Sequence, residues 1–63
     1  LLSDREIEVL RLIGNGKTPT EVAEQLALSI KTVSTYRTRI LEKLSLHTTA
    51  ELIRFAVDHR LID

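Results

Sequence analysis

Two helix signatures joined by a connection too short to act as a linker occupy the stretch from Thr18 to Lys43 (TPTEVAEQLALSIKTVSTYRTRILEK). Thr18-Pro19-Thr20-Glu21 opens the first. Thr18 can accept from the Glu21 amide while the Glu21 side chain reaches back to the Thr18 amide, a reciprocal capping box. Pro19 falls at the first helical position, where a missing N–H costs nothing. Val22, Ala23 and Leu26 then form one apolar stripe. Ser29, a good N-cap, starts the second helix, which continues through Ile30, Val33, Ile40, Leu41 and Leu44. A hinge near Ala27-Leu28 leaves the chain little choice but to pack these helices against each other.

The flanks carry the same kind of signal. Ser3-Asp4-Arg5-Glu6 is a second capping box, leading into Ile7, Val9, Leu10, Leu12 and Ile13, and Gly14-Asn15-Gly16 stops that helix. Thr48-Thr49-Ala50-Glu51 is a third box, predicting a last helix through about His59, with Leu61 and Ile62 folding back on the core. No strand pattern interrupts the series. The expectation is an all-α fold, a compact four-helix domain with a central helix-turn-helix, in which caps and apolar periodicity agree.

With 63 residues the chain makes one small domain, of a size that buries only about 60% of its unfolded surface. It has no cysteine, which excludes disulfides, cysteine-zinc sites and thiol catalysis and fits a cytoplasmic setting. No apolar run approaches the ~18 residues of a membrane span, and no signal-peptide pattern opens the chain. The formal net charge is zero, which at first speaks against a nucleic-acid partner. The charge is unevenly placed, however. Residues 31–43 hold Lys31, Arg37, Arg39 and Lys43 against Glu42 alone, whereas the segments on either side are net acidic. The basic footprint sits on the second helix of the pair, the one that enters the DNA major groove in a helix-turn-helix.

At about 100° per residue, Tyr36, Arg37, Ile40, Leu41 and Leu44 cluster around Val33 as the core-facing stripe. Lys31, Ser34, Thr35, Thr38 and Glu42 take the opposite arc, with Arg39 on its flank. Short hydroxyl side chains let a helix approach the groove floor, where serine and threonine can exchange hydrogen bonds with bases and a threonine methyl can touch thymine. Lys31 can reach guanine or a phosphate, while Arg39 and Lys43 are placed to grip the backbone. Arg37 puts a charge in the apolar stripe, so its stem is expected to pack while the guanidinium snorkels towards phosphate. Tyr36 reads as a core-edge residue with its hydroxyl outward, with a phosphate contact as the runner-up. In the last helix Leu52, Phe55 and Ala56 fit the core. Ala50, Ile53 and Val57 form a second stripe, read either as a wide core face or as a symmetric dimer patch.

The segments LSDREIEVL (residues 2–10), Gly16, EVAEQL (21–26), SIKTV (29–33) and Lys43-Leu44 together resemble the LuxR/FixJ/NarL-type DNA-binding domain over essentially the whole chain. The run from Lys31 to Arg39 is similar to the BvgA/EvgA-like branch of two-component response regulators. The resemblance implies a four-helix output domain acting in a phosphorelay, with a receiver domain absent from this chain. It also implies homodimeric binding to paired half-sites on double-stranded DNA, with the last helix supplying dimer contacts. Base-contacting positions carried over residue by residue fall on Ser34, Thr35 and Thr38, and phosphate-contacting ones around Thr18, Lys31, Thr32 and Lys43. The chain departs from the pattern at Ser34, where lysine or arginine is common. It departs also at Tyr36 (a common histidine), Arg37 (a common aliphatic) and Thr49 (a frequent arginine). Ser45 and Arg60 replace frequent glycines, so a left-handed backbone there would be less comfortable.

No enzyme signature is present: His47 and His59 stand twelve residues apart with no nucleophile or carboxylate constellation. No cofactor, no metal and no small-molecule ligand is expected, and no membrane partner; RNA polymerase is a further candidate partner. Region 4 of a bacterial sigma factor has a similar Arg-Glu, Val-Leu and Glu-Val-Ala-Glu pattern and is the alternative DNA-binding reading. A purely protein-binding helical module is the alternative of another class.

Overall fold

Side-chain oxygens meet the first free amides of all four helices. In the computed structural model, which describes residues 1–62, these are α1 (Asp4–Gly14), α2 (Pro19–Leu26), α3 (Ile30–Leu44) and α4 (Thr49–Asp58). Ser3, Thr18 and Thr48 each close a capping box with Glu6, Glu21 and Glu51, and Ser29 accepts from the Thr32 amide. Every start lies where the sequence places it. There is no strand among the described residues.

The helix ends share one device. An amide two or three residues past the end of each helix reaches back to a carbonyl five residues earlier: Lys17 to Leu12, Leu28 to Ala23, Leu46 to Leu41 and Leu61 to Ala56. In each case the preceding residue is left-handed: Gly16 (φ 87°), Ala27 (55°), Ser45 (56°) and Arg60 (55°). This is the Schellman arrangement, which satisfies the orphan carbonyls. Leu28, Leu46 and Leu61, the residues after the turn, are then drawn against the core. Ser45 and Arg60 adopt the strained conformation expected of them, and Ala27 joins them without a sequence marker. Asn15 is not left-handed (φ −82°). Gly14 serves packing instead: a Cβ there would lie 2.7 Å from Ala56 Cβ and 2.6 Å from Ile62 Cγ2.

α1 packs against each of the other three helices and α2 packs against α3. The buried apolar set draws on all four: Val9, Leu10 and Ile13; Val22 and Ala23; Val33 and Ile40; Leu52 and Ala56. Leu61 and Ile62 pack against this core, as expected of the tail. Phe55 lies at its edge, half-buried, and stacks on His59 at a ring separation of 4.0 Å. The Cα radius of gyration is 10.4 Å, close to the roughly 11 Å of a folded chain this long.

Candidate nucleic-acid interface

Ala27, Leu28 and Ser29 are the whole connection between α2 and α3. The Leu28 amide is tied to Ala23 O at 2.9 Å, and the Thr32 amide to Ser29 Oγ at 3.0 Å, so both ends of the turn are fixed. Val22 and Ala23 on one side and Val33 and Ile40 on the other bury the facing stripes. That packing turns the opposite face of α3 outward. Lys31, Ser34, Thr35, Thr38, Arg39 and Glu42 are all exposed and line one open surface. The arc predicted from periodicity is the arc that faces solvent.

Two hydroxyls on this face are already engaged. Thr35 Oγ1 donates to Lys31 O and Thr38 Oγ1 to Ser34 O, both at 3.1 Å. The Arg39 guanidinium lies 5.9 Å from the centre of the half-buried Tyr36 ring, within cation–π range, which biases its long side chain to the Tyr36 edge. Thr32 is half-buried, its hydroxyl 2.8 Å from that of Ser29 at the start of α3. Thr18 is exposed at the start of α2. Its amide donates to Glu21 Oε1 at 2.9 Å, and chiefly this bond holds the Glu21 carboxyl below its ordinary pKa.

Arg37 has its stem half-buried on the core side, and its Nη1 donates to Thr49 Oγ1 at 3.0 Å. The bond joins α3 to the first turn of α4 and uses one of a guanidinium's five donors. Beside it runs an apolar cleft of about 410 Å³, bordered by Ile13, Pro19, Ile30 and Val33, with Lys17, Ser34, Arg37 and Thr49 at its rim. Ile30 is 53% exposed there.

Lys43, expected on phosphate, is engaged within the domain. Its Nζ donates to Glu6 Oε1 at 2.8 Å and to Leu1 O at 3.4 Å. Glu6 is buried, and the same Oε1 accepts the Ser3 amide at 2.7 Å. The Lys43 ammonium and the Ser3 amide together hold the Glu6 carboxyl down to about pKa 2. A capping carboxylate thus also anchors the far end of α3 to the start of α1. No local sequence signal joins residues 37 positions apart; the only hint was that Glu6 belongs to a capping box.

The second stripe of α4 is graded. Ala50 is exposed, Val57 is 46% exposed and Ile53 is half-buried against the core. His47 donates its amide to Glu51 Oε1 and His59 stacks on Phe55. Among the described residues, no three histidine, cysteine or acidic side chains gather as a metal set. Nor is any helix among them long and apolar enough to cross a membrane.

The family model for GerE, bacterial regulatory proteins of the luxR family, matches residues 1–56. A candidate transcriptional regulator of Pseudomonas aeruginosa is 56% identical over 61 residues, which is 97% of this chain and 30% of that protein. The Fimbriae Z protein of Salmonella typhimurium is 49% identical over 97% of the chain and 29% of its own length. The oxygen regulatory protein NreC of Staphylococcus carnosus is 43% identical over the whole chain and 29% of its own length. The chain therefore spans about 30% of the length of these relatives. Among solved structures, the Vibrio cholerae VqmA dimer, a LuxR-type receptor seen in the absence of target DNA, superposes with a TM-score of 0.90 and 34% identity. It does so over all of this chain and 29% of that one. The shared fold, the exposed polar face of α3 and the family match lead to one conclusion: the chain belongs to the luxR family of bacterial regulatory proteins and is a helix-turn-helix DNA-binding domain of it.

Proposed function

We propose that this domain is the output module of a cytoplasmic two-component response regulator of the BvgA/EvgA-like branch. In that reading, a phosphorylatable receiver elsewhere in the full-length protein brings two copies together on DNA. The observation that carries it is the exposed polar face of α3, held at a fixed angle to α2 by a three-residue turn. α3 enters the major groove with Ser34, Thr35 and Thr38 towards base edges. Lys31 lies at the groove entrance, and Thr18, Thr32, Arg37 and Arg39 lie within reach of the backbone. Phosphate contacts position the helix and base contacts select the sequence. Ala50 and Val57, with the edge of Ile53, form the patch through which two α4 helices meet across a two-fold axis. The domain contributes no chemistry of its own; any phosphoryl transfer belongs to the receiver, and RNA polymerase is the partner downstream.

Selection of a randomised duplex pool at stepped salt concentrations, with sequencing of the bound fraction, tests this function. Two-fold-related, paired half-sites and a steep salt dependence are the expected result. An unpaired promoter-like element would replace the reading with that of a sigma-factor region 4, and no binding at low salt would remove DNA from the account.

A further inference from the structure

The two threonines at the centre of the recognition face have committed their hydroxyl protons. Thr35 Oγ1 donates to Lys31 O and Thr38 Oγ1 to Ser34 O, each at 3.1 Å. A hydroxyl has one proton and two lone pairs. What these residues offer outward is an acceptor oxygen and, fixed beside it by the same rotamer, a methyl group. Both side chains are exposed on the surface they share with Lys31 and Ser34. Lys31 is the opposite case: an ammonium donates only.

These polarities sort the base pairs. In the major groove guanine shows two acceptors, adenine and cytosine each show an amino donor, and thymine alone shows a methyl. An acceptor hydroxyl facing guanine O6 or N7 is repelled. An A·T pair offers both an amine for the oxygen and a methyl for the carbon. A G·C pair offers the cytosine amine alone. Resting on the placement of α3 proposed above, we infer that Thr35 and Thr38 are specificity determinants for A·T pairs. They act through the thymine methyl and the adenine amine, while Lys31 reads guanine at the other end of the same face. A helix rises about 1.5 Å per residue, so Lys31 and Thr38 stand about 10 Å apart, roughly three base-pair steps. The half-site should carry guanine at one end and A·T pairs two to three steps away.

The test uses the selected half-site duplex with single thymines replaced by deoxyuridine, which removes only the 5-methyl group. Binding of the parent chain should weaken about fourfold at each contacted methyl. Thr35→Ser and Thr38→Ser keep the hydroxyl and remove the methyl, and each should abolish the uracil penalty at its own position. Thr35→Val and Thr38→Val keep the methyl, so the penalty should persist while discrimination against a purine lacking the adenine amine is lost. Guanine selected opposite these threonines, or a uracil penalty unchanged in both serine variants, would overturn the inference while leaving α3 in the groove. If Lys31→Ala and all four threonine variants bind every duplex as the parent does, the placement of α3 itself fails.

Discussion

Among the described residues, three other than glycine hold left-handed backbone at helix ends: Ala27, Ser45 and Arg60. A side chain with a Cβ is strained there, by roughly 1–2 kcal/mol, and glycine relieves most of that despite its greater freedom when unfolded. Ser45→Gly and Arg60→Gly are each expected to stabilise the domain by about 1 kcal/mol, which in a chain this small raises the thermal midpoint by about 4–8 °C. Thermal melts followed by circular dichroism check this. A lowered midpoint would mean that the side chain contributes more than its strain removes. Ala27→Gly has the same sign, in the turn that sets the angle between α2 and α3. The expectation for Ser45 and Arg60 came from the departure of this chain from its family pattern. Nothing marked Ala27, because alanine is the best helix former and, unlike glycine or asparagine, carries no signal for a left-handed turn. The outward direction of Thr35 and Thr38 was legible from helical period alone. The direction of their hydroxyl protons was not, because it depends on side-chain rotamer.

At the scale of the helices, three starts were readable because a capping box spans four consecutive residues and is therefore a local code, and the fourth because Ser29 is a good N-cap. The links between helices were not. Glu6 with Lys43, and Arg37 with Thr49, are separated by 37 and 12 positions, and only packing brings them together. The first link bears on the interface. Lys43→Met keeps the length of the stem and removes the partner of a buried carboxylate. It should lower the unfolding midpoint and leave the salt dependence of DNA binding unchanged. A fall of about 0.9 in the slope of log affinity against log salt, with stability intact, would make Lys43 a phosphate contact instead. On α4, Val57 is the cleaner probe of the dimer patch, because Ile53 also packs on the core. Val57→Asp is expected to weaken binding to paired half-sites about tenfold while single half-site binding and helical content stay unchanged. Equal loss on both duplexes would remove α4 from the dimer contact.

Over the whole molecule, three capping carboxylates couple the fold to pH. Glu6 is held down to about pKa 2 against an ordinary 4.5, chiefly by Lys43. Glu21 and Glu51 are also lowered, chiefly by the Thr18 and His47 amides. A group whose pKa is depressed on folding stabilises the fold above its unfolded pKa and loses that contribution as pH falls through the folded value. Stability should therefore decline from about pH 5 towards pH 2. Glu6→Gln should flatten the largest part of that decline while lowering stability at neutral pH. Urea melts across that range decide it, and an unchanged acid slope in the variant would place the sensitivity elsewhere.

Whether the polar face of α3 lies in the major groove is decided by titrating a selected half-site duplex into the ¹⁵N-labelled chain. The measurement is the change in amide chemical shift, residue by residue. The largest changes are expected from Lys31 to Arg39 and around Thr18, with the exposed side of α1 at Glu8 and Arg11 little affected. Changes centred on α1 or α4, with Lys31 to Thr38 unmoved, would take α3 out of the groove.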